Sequence, residues 1–144
     1  MSTVIAQHRR GREAVELVHT WQKALGEGDL TAALGMLASD IVVNVPSSLP
    51  HGGVWQGREG FQQMLGTFRA TWEFEEPLEF KLRDAGDDIV VVNATGRVRS
   101  RATGREAIIS TAEFLTVTDA TISRIDVYYA DVAAVVAAVF KVEA

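Results

Sequence analysis

Residues 89–129 read IVVVNATGRVRSRATGREAIISTAEFLTVTDATISRIDVYY. β-Branched and aromatic residues dominate, and apolar and polar side chains alternate with a period of two, the pattern of half-buried strands. The run divides into three long strands, Ile89 to Arg101, Glu106 to Val117 and Thr121 to Tyr129. Ala102-Thr103-Gly104 and Asp119-Ala120 separate them, and breaks this short join antiparallel neighbours. Just upstream, Leu78, Phe80 and Leu82 alternate with Glu79, Lys81 and Arg83, adding a strand that turns at Asp87-Asp88.

Before Trp72 the period is helical. Ala14, Leu17, Val18, Trp21 and Leu25 line one face of a first helix, and the polar residues 1–12 before it read as a flexible tail. Gly26-Glu27-Gly28 breaks that helix, and Asp29 caps a second carrying Leu30, Ala33, Leu34 and Leu37. Ile41 to Val45 predicts a short strand, Pro46 to Trp55 a loop, and Phe61, Met64, Leu65 and Phe68 a third helix starting near Arg58. Asp131 caps a last apolar helix, Val132 to Phe140. Helices segregated from a run of antiparallel strands define an α+β fold, and 144 residues make one domain, 1–144.

Composition narrows the chemistry. Cysteine is absent, which removes disulfides, thiolate metal sites and a cysteine nucleophile. The net charge of −5 argues against a nucleic-acid partner. No apolar run is long enough for a membrane span and the N-terminus lacks a signal-peptide pattern, so the expectation is a cytoplasmic protein with no membrane partner. No histidine pair or acidic cluster has metal-ligand spacing, and the glycines form no phosphate cradle, so neither metal nor cofactor is expected.

Strand register sorts the sheet's two faces. A two-residue turn at Asp119-Ala120 pairs Val117 with Ile122, and regular pairing then sets Phe114 opposite Ile125, Ala112 opposite Val127 and Ser110 opposite Tyr129. The preceding hairpin pairs Val98 with Ile108, Gly96 with Ser110 and Ala94 with Ala112. One face then carries Val90, Val92, Ala94, Gly96, Val98, Ile108, Ser110, Ala112, Phe114, Ile125, Val127 and Tyr129, and the other carries Arg97, Arg99, Arg101, Glu113, Arg124 and Asp126. A one-residue slip would exchange the faces of a strand. The centre of the apolar face is small, which leaves either the floor of a ligand pocket or a gap filled by Trp21, Trp72 or Phe68.

The element order, Trp21, the Gly26-Glu27-Gly28-Asp29 break and the strand Ile41 to Val45 resemble the nuclear-transport-factor-2-like superfamily. Within it, the stretch from Ser48 to Phe61, with Pro50-His51-Gly52-Gly53-Val54-Trp55-Gln56-Gly57, is similar to the SnoaL-like polyketide cyclase group, as are Val117 to Ile122 and Tyr128-Tyr129-Ala130-Asp131. The resemblance implies a curved antiparallel sheet wrapped around the N-terminal helices as a cone-shaped α+β barrel, with one short C-terminal helix, an apolar pocket and a homodimer. It does not select a reaction, because one fold hosts many chemistries.

Relatives of the ketosteroid-isomerase kind use an aspartate base, a tyrosine and a protonated sheet aspartate. By the resemblance these positions fall on Val45, Trp21 and Ala112, with Glu113 one residue away on the other face; valine and alanine cannot do that work, while Trp21 keeps one N–H donor. Relatives of the limonene-epoxide-hydrolase kind need two acids bridged by arginine. Arg97, Arg99, Glu113 and Asp126 have those residue types, but register places them on the outer face unless a β-bulge re-aims them. Cyclase-like chemistry asks for an acid near the last strands, where Asp126 and Asp131 stand, although Asp131 also suits a helix cap. His51 is either a solvated loop residue or an acid–base group at the pocket mouth, since histidine titrates near neutrality.

The resulting expectation is a cofactor-free enzyme acting on an apolar carbonyl compound by proton transfer, cyclisation or isomerisation. Its candidate catalytic residues are His51, Asp131 and Asp126, and its candidate substrate-binding residues are Trp21, Val45, Trp55, Met64, Phe68, Gly96, Ser110, Ala112 and Tyr129. A non-catalytic module for a small apolar ligand and a dimeric assembly domain are the alternatives.

Overall fold

The computed structural model describes residues 2–140. Four helices and seven strands follow one another as α1 Ser2–Gly26, α2 Leu30–Gly35, β1 Leu37–Val45, β2 Gly53–Gln56, α3 Gly57–Thr71, β3 Trp72–Phe74, β4 Glu79–Asp84, β5 Ile89–Ser100, β6 Glu106–Thr118, β7 Thr121–Tyr129 and α4 Val132–Val139. The strands form one sheet in the order β2-β1-β7-β6-β5-β3, with β4 also paired to β5. The sheet curls around α1 and α3, and its concave face supplies most of the core: Ile41, Val43, Val90, Val92, Val98, Ile109, Leu115, Ile122 and Ile125 are all buried.

Sequence periodicity anticipates the elements better than their connections. Asp29 caps α2 through a hydrogen bond from Ala32 N (3.1 Å), and Asp131 caps α4 through one from Ala134 N (3.0 Å). Asp87-Asp88 and Asp119-Ala120 both have positive φ at each residue, as tight hairpin turns require. Three readings need correction. The residues expected as a flexible tail continue α1 back to Ser2. Their helix is held by an Arg10–Asp88 ion pair (3.7 Å), and Gly11 is buried so closely against Asp84 that a Cβ there would collide with its carboxylate. The end of the expected loop forms β2, which pairs with β1 from Val45↔Gly53 to Val42↔Gln56. The sheet is mixed, because β1 runs parallel to β7. Alternation reveals which side chains share a face but carries no information on the direction of a distant partner.

The largest correction concerns β6. Val117 pairs with Ile122, as the turn dictates, but Thr116 then pairs with Arg124, so Ser123 is an extra residue in β7. This β-bulge is stitched by the Ser123 hydroxyl, which donates to Thr116 O (3.2 Å) and lies 2.9 Å from Thr118 Oγ1. Beyond it the register moves by one: Leu115 faces Ile125, Glu113 faces Val127 and Thr111 faces Tyr129. The β5–β6 hairpin agrees, pairing Val98 with Ala107, Gly96 with Ile109 and Ala94 with Thr111. All of β6 is therefore reversed relative to the sequence reading. Ile109, Thr111, Glu113 and Leu115 point to the concave face, and Ile108, Ser110, Ala112 and Phe114 to the convex one.

Candidate functional site

Between the concave sheet, α1 and α3 lies a cavity of about 420 Å³, within the size range of pockets that hold small organic molecules. Trp21 from α1, Phe61, Met64 and Phe68 from α3, Val43 and Val45 from β1, and Ile125 and Val127 from β7 make most of its wall. Of the residues proposed from sequence, Trp21, Val45, His51, Met64, Phe68 and Tyr129 border the cavity. Gly96 lies on the concave face, but its missing side chain leaves room for Leu78, which packs there and is itself part of the wall.

Five of the proposed residues lie elsewhere. Ser110 and Ala112 are on the convex face, turned there by the β6 register. Asp131 is occupied as the α4 cap. Asp126 is also convex: its carboxylate accepts from Arg124 Nε (2.9 Å) and Asn44 Nδ2 (2.8 Å). Burial alone would raise that carboxyl, but these hydrogen bonds and the Arg124 charge bring it below its ordinary value. Trp55 stands behind the wall, where its indole N–H donates to the His51 carbonyl (3.1 Å) and fixes the loop that carries the histidine. Regular pairing of Phe114 with Ile125 would set Glu113 opposite Asp126, but Asp126 pairs with Phe114 and the two acids face opposite sides. Arg97 and Arg99 are likewise outside, bound to Glu106, with Arg99 also bound to Glu75.

His51 is buried, at 3% exposure, and belongs to the cavity wall and not to bulk solvent. The loop turns tightly through Leu49 N→Pro46 O and Gly52 N→Leu49 O, and Leu49 anchors it in the core. Gly52 is required there, because a Cβ would run into the carbonyls of Pro46 and Leu49. The imidazole packs edge-on to Phe68, centroid to centroid 5.0 Å, and its Nε2 lies 3.0 Å from the Tyr129 hydroxyl. Burial lowers the His51 pKa to about 4, so the ring is neutral at pH 7. Burial and the neighbouring Glu113 charge push the Tyr129 phenol up, so it keeps its proton.

Glu113 is the residue that sequence reading placed on the wrong face. It projects from β6 between Val92 of β5 and Val127 of β7 and borders the cavity. The residue is half-buried, and no hydrogen bond or ion pair reaches its carboxylate among the described residues. Burial raises its pKa from 4.5 to about 7, the value a proton-transfer group needs near neutrality. Tyr129 is two residues from Glu113's direct partner Val127, a diagonal neighbour on the same face. A signal for this arrangement exists in the sequence. Ile122 and Ile125 are both core residues three positions apart, which a regular strand cannot place on one face.

Four buried side-chain polar atoms lack a partner among the described residues: Trp21 Nε1, His51 Nδ1, Thr111 Oγ1 and Trp72 Nε1. Three of them belong to cavity-lining residues. Such orphans cost about 1–3 kcal/mol each, and their concentration around one cavity suits a site that completes its hydrogen bonding with a ligand.

The curled sheet thus encloses an apolar cavity with an unpaired acid on its floor and a Tyr–His pair in its wall. A family profile for the SnoaL-like domain matches residues 18–125. The chain belongs to the SnoaL-like family. This SnoaL-like domain also matches solved structures over most of its length. An NTF2-like protein from Burkholderia xenovorans LB400 is 26% identical with a TM-score of 0.78, covering 90% of this chain and 97% of that one. An NTF2-like protein from Burkholderia thailandensis E264 is 18% identical with a TM-score of 0.79, covering 89% and 98%. A protein from Pseudomonas putida KT2440 described as a candidate polyketide cyclase is 20% identical with a TM-score of 0.70, covering 88% and 98%. No curated protein matches the chain significantly.

Proposed function

We propose that this SnoaL-like domain is a cofactor-free enzyme that moves a proton on an apolar carbonyl compound, with Glu113 as acid–base group. The observation that carries the reading is the Glu113 carboxyl, without an ion-pair partner among the described residues on the floor of an apolar cavity, with its pKa raised to about 7. In its ionised form it takes a proton from the carbon next to the substrate carbonyl, becoming a neutral acid and leaving an enolate. The Tyr129 hydroxyl, kept protonated and held by His51, donates a hydrogen bond to the developing oxygen charge. Trp21 N–H is a second donor of the same kind. Glu113 then returns the proton at the far carbon of a conjugated dienolate, which is isomerisation, or the enolate attacks a second carbonyl in the same molecule and the alkoxide so formed takes the proton from Glu113, which is cyclisation. His51 is a positioning residue here, because a ring that is neutral down to about pH 4 is a weak base.

Three features support this reading over simple storage of a ligand: the pKa near neutrality, the absence of a countercharge for Glu113 among the described residues, and the adjacent Tyr129. The test is deuterium exchange. A panel of apolar cyclic ketones and diketones is incubated with the protein in deuterium oxide, and label next to the carbonyl is followed by mass spectrometry. Exchange above background, reduced 10²-fold or more in Glu113→Gln, is the expected result. Tight binding of the same ketones with no exchange above background would instead identify a binding module.

A further inference from the structure

Arg69 lies in the last turn of α3, exposed, and borders the cavity. Other arginines are committed elsewhere: Arg58 donates twice to Leu37 O, Arg99 is clamped between Glu75 and Glu106, and Arg105 reaches the carbonyls of Ala137 and Phe140. Arg69 has no carboxylate within ion-pair distance among the described residues. A single hydrogen bond from its Nη2 to Leu25 O (3.3 Å), at the end of α1, tethers the guanidinium. That leaves four of its five N–H donors free. Gln22, one turn earlier on α1 and half-buried, borders the same cavity.

Besides the Tyr129–His51 pair and the Trp21 N–H, the cavity carries polar groups at two places. Glu113 and Thr111 stand on its sheet floor; Arg69 and Gln22 stand where α1 and α3 end. Among the described residues Arg69 is the only permanently cationic side chain bordering the cavity, in a protein whose net charge is −5. A guanidinium with free donors in fork geometry suits a carboxylate, to which it can bind through two parallel hydrogen bonds.

We propose that Arg69 is a specificity residue and that the ligand is an apolar carboxylic acid, its ring or chain in the cavity and its carboxylate on Arg69 at the rim. This rests on the reading of the cavity as a binding site. It makes the substrate an acid that carries its reactive carbonyl at the opposite end from the carboxylate. The charge fixes which end of a largely featureless apolar molecule reaches Glu113.

The test compares two probes with one body, pyrenebutyrate and its neutral methyl ester, by fluorescence titration of the wild type, Arg69→Met and Lys23→Met. Lys23 is exposed on α1 and paired with Glu27, and it does not border the cavity. The wild type should bind both probes. Arg69→Met should weaken the carboxylate about tenfold or more, as loss of charge-assisted hydrogen bonds does, and leave the ester within twofold. Lys23→Met should change neither. Equal binding of the carboxylate by wild type and Arg69→Met overturns the proposal while the cavity stands. So does equal loss of both probes in Arg69→Met, which would mark Arg69 as structural, or an equal loss of the carboxylate in Lys23→Met, which would mark a general charge effect. Failure of the wild type to bind either probe overturns the cavity reading itself.

Discussion

The Tyr129 hydroxyl and His51 Nε2 meet at 3.0 Å across 78 positions of sequence, joining the end of β7 to the loop before β2. The bond is the only partner of the buried imidazole's side chain, since Nδ1 has none among the described residues. Tyr129→Phe therefore leaves both ring nitrogens unpaired and should cost about 1–3 kcal/mol in urea unfolding. Adding His51→Phe removes the stranded group, so the double variant should lose less than the sum of the single losses, by at least about 0.5 kcal/mol. Additive losses would show that the two side chains do not interact.

His51 also sets a pH dependence. Its pKa is about 4 when folded and 6.5 ordinarily, so between those values the unfolded chain binds the extra proton. Stability from this group is full above pH 6.5 and is lost as pH falls through 6.5 toward 4. His51→Phe should flatten that part of the stability profile measured by chemical denaturation. An unchanged profile would mean the ring is solvated.

Glu113 acts in the opposite direction. Its folded pKa of about 7 lies above the ordinary 4.5, so the folded state holds the extra proton between those values. Stability falls as pH rises from 4.5 to 7, and the full penalty is present above pH 7. Glu113→Gln, which cannot ionise, should be more stable than wild type at pH 8 by about 1–2 kcal/mol, after discounting the shift for water reaching a half-buried group. The difference should shrink toward pH 4.5.

The β6 register separates two neighbouring substitutions. Thr111→Leu adds bulk on the concave face and should weaken the neutral pyrene ester severalfold or more. Ala112→Leu adds it on the convex face and should leave ester binding unchanged. The reverse result would restore the register expected from the sequence.

The convex face exposes Ile108, Phe114 and Tyr128, and the last two rings meet edge to face at 5.7 Å. We propose that a homodimer covers this patch. Sedimentation at micromolar concentration should show a dimer that Phe114→Arg dissociates, and a monomeric wild type would contradict it.

The helices, their caps and the hairpin turns were legible because each has a local cause: Asp29 and Asp131 next to free N–H groups, or two residues at positive φ. The concave residues of β5 and β7 were legible too, since Ala94, Gly96 and Val98 alternate with Thr95 and Arg97, and Ile125 and Val127 flank Asp126. In β6 both alternating sets contain apolar residues, Ile109 and Leu115 on one side and Ile108 and Phe114 on the other, so the pattern alone does not choose. The choice is made by the Ser123 bulge in another strand, and reading β6 with regular pairing turned Glu113 outward and Ser110 and Ala112 inward. His51 was found from its residue type, but its burial against Phe68 and Tyr129 depends on the Leu49 anchor and the Gly52 turn, which are tertiary. The parallel β1–β7 pairing has no local signature.

The proposed chemistry depends on Glu113 being an acid–base group inside an apolar cavity. Its most direct test is an NMR titration of the side-chain carboxyl carbons, with Glu113 assigned by loss of its signal in Glu113→Gln. A midpoint near pH 7 is expected for Glu113. A midpoint near the ordinary 4.5 would place the carboxyl in water and contradict it.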